Sequence, residues 1–163
     1  MKQGYNIIKI INNKRQKAKD VVVKEFPLKI FINGIEFSTL LCSPDKLKYL
    51  IIGNLYSENI IKSVQEIKSI KINKFDGIAV VELKKNVNLN KRIKNKVVYS
   101  GCASFYDYNN LKINKIKNNI QIKKEKIMEL MMQFQLKSKL FQETGGVHAS
   151  ALADKKKIIF FTE

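Results

Sequence analysis

The 163 residues carry a net charge of +17 and are 45% hydrophobic. That length suits one domain, or two small ones sharing a core, and the apolar content excludes a disordered chain. Two cysteines exclude a disulfide framework and a four-ligand zinc site, and no apolar run reaches the roughly 18 residues that a membrane helix needs.

In chain order, residues 1–20 are polar and basic around Ile7, Ile8, Ile10 and Ile11, and are expected to form an edge strand with a loose tail. Val21-Val22-Val23 and residues 28–32 read as strand. Asn33-Gly34 is the strongest hairpin signal, since both residues tolerate the positive φ of a type I′ turn, and residues 35–41 return as the second strand. Ser43-Pro44-Asp45 predicts a helix start by three rules: a hydroxyl cap, a proline at the first helical position and an acid at the positive end of the dipole. Leu47, Leu50, Ile51, Asn54 and Leu55 follow at helical spacing, giving a helix over residues 44–57 that ends near Ser57-Glu58-Asn59. Gly53 in its middle is expected to permit close packing.

Residues 67–72 and 78–83 alternate with period two about Phe75-Asp76-Gly77, a second hairpin. Residues 86–95 are a Lys- and Asn-rich connector, the expected place for a mobile loop. Val97-Val98-Tyr99 is a short strand leading into Ser100-Gly101-Cys102, and residues 107–119 are polar and irregular. Residues 123–141 are the strongest helix, with Ile127, Leu130, Met131 and Phe134 as a core-facing stripe. Thr144-Gly145-Gly146 breaks it. Residues 147–152 read as a buried strand, residues 154–157 as a turn and residues 158–161 as a further strand. No internal repeat is present.

The positive charge is mostly spread along the chain beside abundant Ile and Asn, as a global compositional drift would leave it. Only Lys155-Lys156-Lys157 reads as a compact run, and it reads as a polar turn. Arg15 and Arg92 are the only arginines, and phosphate and base readers favour Arg for its bidentate fork, so nucleic acid is not the expected partner. The free thiols and the lack of an apolar leader suggest a cytoplasmic protein that does not contact a membrane.

Three features bear chemistry. Cys102 follows a strand and lies in a Gly-Cys-Ala-Ser turn; as a thiolate it is a nucleophile, and otherwise it is an inert cysteine. His148, the only histidine, is a general acid or base, a ligand group, or a structural residue bonded to backbone. The Thr144-Gly145-Gly146 turn can present backbone N–H groups to an anion, or simply end a helix. Cys42 precedes the first helix and reads as small and buried. No Ser/His/Asp triad, phosphate-binding glycine loop or metal motif is legible, and no metal is expected.

Three stretches in this order resemble the FdhD family of sulfur carriers. They are residues 41–61, from Leu-Cys-Ser-Pro-Asp to Ser-Glu-Asn-Ile-Ile; residues 100–104, Ser-Gly-Cys-Ala-Ser; and residues 141–152, with Phe141 and Thr-Gly-Gly-Val-His at 144–148. The resemblance implies an α/β (α+β) fold: a β-rich N-terminal part over residues 1–96 with the capped helix 44–57, then the start of a cytidine-deaminase-like three-layer α/β/α domain over residues 97–163. It implies a sulfurtransferase that accepts persulfide sulfur from a cysteine desulfurase and passes it to the molybdenum cofactor, as bis-molybdopterin guanine dinucleotide, for formate dehydrogenase. A homodimer is implied as well. Cys102 would carry the persulfide, and Thr144, Gly145, Gly146 and His148 would contact the cofactor. Many members carry a second loop cysteine where this chain has Phe105, and the family continues past Glu163 through an Asp-Val-Gly-Arg-His-Asn motif. The alternative is therefore an inactive fragment that only binds a desulfurase, a nucleotide-like ligand or a missing C-terminal half.

Overall fold

The computed structural model describes residues 2–87, 89, 96–98 and 120–163. Within these, residues 24–87, 89 and 96–98 form one compact unit, and residues 3–23 with 120–163 form another. The fold is mixed α+β.

The first unit is a five-stranded sheet. Strand β3 (Phe26–Ile32) turns at Asn33 and Gly34, with φ of 48° and 81°, into the antiparallel β4 (Ile35–Cys42). The type I′ turn read from Asn-Gly is therefore present. Helix α1 (Leu47–Ser57) follows, then a 3-10 turn at Val64–Glu66 and the hairpin β5 (Ile67–Asn73) with β6 (Ile78–Leu83). Strand β7 (Lys96–Val98) adds parallel to β4, and β6 lies parallel to β3, giving the order β5-β6-β3-β4-β7.

Alternation sets the core. Leu28, Ile30 and Ile32 of β3 and Ala79, Val81 and Leu83 of β6 are buried, each spaced by two, so they share one face. Leu47, Ile51 and Leu55 of α1, at helical spacing, are buried in the same cluster. Asn33 fastens the hairpin to β6: its Oδ1 accepts the Leu83 N–H at 2.9 Å, and its own N–H donates to the Val81 carbonyl at 2.9 Å. Ser38 of β4, itself buried, reaches Asn54 of α1 at 3.5 Å.

Two expectations about α1 fail. The helix begins at Leu47, not Pro44, because Lys46 takes the left-handed conformation (φ 47°) and breaks the helix from the proline. The three start signals are spent on a bend instead, where Asp45 Oδ1 accepts the Lys46 N–H at 2.9 Å and no side chain caps the helix. Gly53 does not pack closely, since a Cβ built there meets nothing within 4 Å among the described residues. A helical glycine in open space only adds unfolded-state entropy. Gly53→Ala is therefore expected to stabilise the protein by about 1 kcal/mol, read as a rise in the thermal midpoint.

The second unit opens with a ribbon, where the sequence reads as an edge strand with a loose tail over residues 1–20 and a strand at Val21-Val22-Val23. Strands β1 (Lys2–Ile11) and β2 (Lys14–Val23) form a two-stranded sheet. Asn12 and Asn13, with φ of 48° and 61°, make the two-residue turn. The basic run at its far end masked a strand that has little apolar content to alternate.

The expected single helix over 123–141 is two helices, α2 (Lys124–Lys137) and α3 (Lys139–Thr144), broken at Ser138. Its stripe is not core. Ile127 and Met131 are about half exposed, and Met128, Met132 and Leu136 more so. Instead Ile127, Leu130, Met131 and Phe134 line an open apolar groove of about 450 Å³ with Ala149, Ala151 and Ile158. The hairpin of β8 (Ser150–Ala153) and β9 (Ile158–Thr162) forms its other wall, and Phe161 meets Phe134 edge-on at 5.6 Å. Strand β8 starts three residues later than read and is exposed throughout, so the buried strand expected over 147–152 is corrected to a short exposed one.

Candidate functional site

The chemistry-bearing residues divide between the units. Strand β7 runs parallel to β4 with Val97 opposite Thr39 and Val98 opposite Leu40, and leads the chain toward Cys102. Cys102 and its Ser-Gly-Cys-Ala-Ser loop lie outside the described residues, as do Tyr99, residues 107–119 and most of the connector 86–95.

Cys42, the other thiol, sits at the end of β4. It is half-buried and its Sγ donates to the Phe26 carbonyl at 3.5 Å. Burial, followed by the nearby negative charge of Glu25, pushes its pKa from 9.0 to about 11. Both causes act against the thiolate, so at neutral pH this cysteine is a weakly reactive thiol. A thiol whose folded pKa is raised stabilises the fold fully below its unfolded pKa and loses that contribution as pH rises through the folded value. Between pH 9 and about 11 stability is expected to fall; discounted for partial exposure, the loss is about 1–2 kcal/mol. Denaturant titrations of Cys42→Ala against the parent across that window should show a flatter alkaline arm in the variant.

The Thr-Gly-Gly-Val-His stretch is described in full. Gly145 follows α3 in the left-handed conformation, φ 64°, and its N–H donates to the Phe141 carbonyl at 2.7 Å. Thr144 Oγ1 donates to the Leu140 carbonyl at 2.7 Å and accepts the Gly146 N–H at 3.3 Å. Both glycine N–H groups are thus engaged within a helix-ending turn. Gly146 is also a point of close approach, since a Cβ there would lie 3.0 Å from Cγ1 of Val23 in β2. His148, two residues on, is exposed. The structure therefore brings Thr144, Gly145, Gly146 and His148 into one short segment.

The support of that segment was not legible in advance. Glu163 reaches back to the break between the helices: Ser138 Oγ donates to Glu163 Oε1 at 2.6 Å, and the Leu140 N–H donates to the same carboxylate at 3.1 Å. A carboxylate placed on the unpaired N–H groups of α3 satisfies them and favours the break. The available signal was a serine interrupting an apolar period, which marks a possible helix restart. Among the described residues no group of three or more His, Cys, Asp or Glu is placed to hold a metal ion. No described helix is long and apolar enough to cross a membrane.

The backbone superposes on a crystal structure described as a formate dehydrogenase accessory protein from Desulfotalea psychrophila, with a TM-score of 0.67 at 18% identity over 98% of this chain and 60% of that one. The architecture is thus shared with accessory proteins of that type. The sequence profile of the FdhD/NarQ family matches residues 23–163, and the chain belongs to this family. Among its relatives, the sulfur carrier protein FdhD of Bacillus pumilus is 41% identical over 144 residues, which is 85% of this chain and 55% of the relative. The protein of the same name from Bacillus licheniformis is 37% identical over 158 residues, covering 94% of this chain and 60% of the relative. The chain therefore spans somewhat more than half the length of these relatives.

Proposed function

We propose that this chain is a sulfur carrier in which Cys102 bears the transferable sulfur. The observation that carries the reading is the family assignment together with the names of the relatives, which are sulfur carrier proteins. The chemistry of the two thiols supports the choice of residue. Cys42 is held protonated by burial, and Cys102, in the sequence Ser-Gly-Cys-Ala-Ser that follows β7, is the proposed nucleophile.

In the proposed loading step the Cys102 thiolate attacks the terminal sulfur of a persulfide on a cysteine desulfurase. A new S–S bond forms, the donor S–S bond breaks, and the donor cysteine leaves as thiolate with the electron pair. Cys102 then holds a persulfide. The molybdenum cofactor, in its bis-molybdopterin guanine dinucleotide form, is the substrate that receives this sulfur before entering formate dehydrogenase. His148, exposed next to the glycine turn, is the proposed contact to it. Thr144, Gly145 and Gly146 set the position of that histidine, since their turn N–H groups are already bonded.

The test is loading with a cysteine desulfurase and radiolabelled cysteine, followed by onward transfer. Label on the parent chain that is lost in Cys102→Ala supports the reading. Undiminished labelling of that variant would overturn it. Loading without onward transfer assigns the chain to a binding or holding role instead.

A further inference from the structure

One part of the surface departs from the even spread of charge. Four of the six residues 14–19 are cations, Lys14, Arg15, Lys17 and Lys19, against 31 of 163 in the chain as a whole. They occupy the tip half of β2, and all four are exposed. Among the described residues none is paired with a carboxylate. Arg15, Lys17 and Lys19 are spaced by two, so they project from the same face of the strand, with Lys14 on the other.

The backbone at this place is also unfinished. The sheet has only β1 and β2 among the described residues, so the outer edge of β2 presents N–H and C=O groups that no further strand pairs. The base of β2 is covered, with Val23 against Gly146. The tip is not. Exposed Ile8 and Ile10 of β1 lie beside the cations in the same ribbon.

Edge lysines repel an identical edge. A second copy of β2 would set cations against cations, which destabilises cross-strand pairs. The complement is a strand with carboxylates at alternate positions and small or apolar residues between them. We propose that the outer edge of β2, residues 14–19, docks an extended acidic strand of a partner protein, which adds to the sheet through main-chain hydrogen bonds and pairs its carboxylates with Arg15, Lys17 and Lys19. Nucleic acid matches the charge alone. It would leave the edge N–H and C=O groups without in-register partners. The proposal is independent of the sulfur chemistry.

The probe is an end-blocked peptide of alternating Glu and Val, titrated into the whole chain carrying nitrogen-labelled amides. Saturable binding is expected, with shifts concentrated at residues 14–19. Methylating alternate backbone nitrogens of the peptide should weaken it by about tenfold or more, because strand addition needs those donors. Arg15→Glu with Lys17→Glu should weaken it at least as much, about tenfold. Should that double variant fail to fold, Lys17→Gln and the two peptides on the parent chain still decide. Equal binding of the methylated peptide overturns the proposal, because charge alone would then suffice. So does tighter binding of a duplex DNA oligonucleotide than of the peptide, which assigns the ribbon to nucleic acid. Lack of saturation at about 1 mM peptide overturns it too.

Discussion

Replacing Cys102 with alanine is expected to remove nearly all persulfide loading, whereas Cys42→Ala should load like the parent. The size of the contrast follows from thiolate chemistry. With its pKa at about 11, Cys42 is ionised in roughly one molecule in a thousand at pH 8, against about a quarter for an ordinary cysteine near 8.5. A more basic thiolate is intrinsically more nucleophilic, which recovers roughly tenfold, so a net deficit of roughly twentyfold remains before burial is counted. Cys102→Ala should thus retain no more than about 5% of the parent loading rate at pH 8. That residue should grow as pH rises toward 11, because it belongs to Cys42. Loading rates measured at several pH values in both single variants check this. A Cys102→Ala chain that loads at half the parent rate, or a Cys42→Ala chain that does not load, would reject the assignment of roles.

The two hairpins of the first unit were legible in the sequence because two local rules agreed there, whereas the parallel pairings of β3 with β6 and β4 with β7 were not. Alternation placed Leu28, Ile30, Ile32, Ala79 and Val81 on one face, and Asn33-Gly34 fixed the register of the hairpin between β3 and β4. Agreement among capping rules alone still misled. Ser43-Pro44-Asp45 carries every mark of a helix start, yet the backbone at Lys46 turns left-handed first. The pairing of β1 with β2, and the reach of β2 back from Val21–Val23 to Lys14, escaped notice because these strands are exposed almost throughout, so no buried face imposed an alternating pattern. The long helix was misread for the opposite reason. The apolar period of 123–141 runs through Ser138, and only a long-range carboxylate, Glu163, shows why the chain breaks there.

The residues of Thr144 to His148 stood out by type, but the two uses of a glycine turn could not be separated by type alone. In this structure Gly145 donates to the Phe141 carbonyl and Gly146 to the Thr144 hydroxyl, as a helix-ending turn does. Cys42 read from the sequence as small and buried; in the structure it is half-buried, and burial with the charge of Glu25 raises its pKa. The environment of Cys102 lies outside the described residues.

Alanine at Gly77 is expected to be the most damaging single-methyl change in the first unit. Gly77 precedes β6 with φ of 66°, and a Cβ there would lie 2.4 Å from the Pro27 carbonyl oxygen. That oxygen belongs to β3 backbone, so no side chain can swing aside to relieve the contact. The Gly77 carbonyl also accepts the Lys29 N–H at 2.8 Å, at the start of the parallel pairing of β3 with β6. Relief would therefore separate the two strands that carry Leu28, Ile30, Ala79 and Val81. The left-handed backbone alone accounts for roughly 1–2 kcal/mol, and crowding in a packed region for roughly 1–3 kcal/mol more. Together, about 2–5 kcal/mol is a large part of a domain stability of about 5–15 kcal/mol. Gly34→Ala supplies the control. Its φ is 81°, yet an added Cβ meets nothing within 4 Å among the described residues, so it bears only the backbone part. Denaturant unfolding of both variants isolates the steric contribution as their difference, expected at about 1–3 kcal/mol. A Gly77→Ala chain no less stable than Gly34→Ala would mean that β3 and β6 do not approach as closely as the pairing of Lys29 with Gly77 requires.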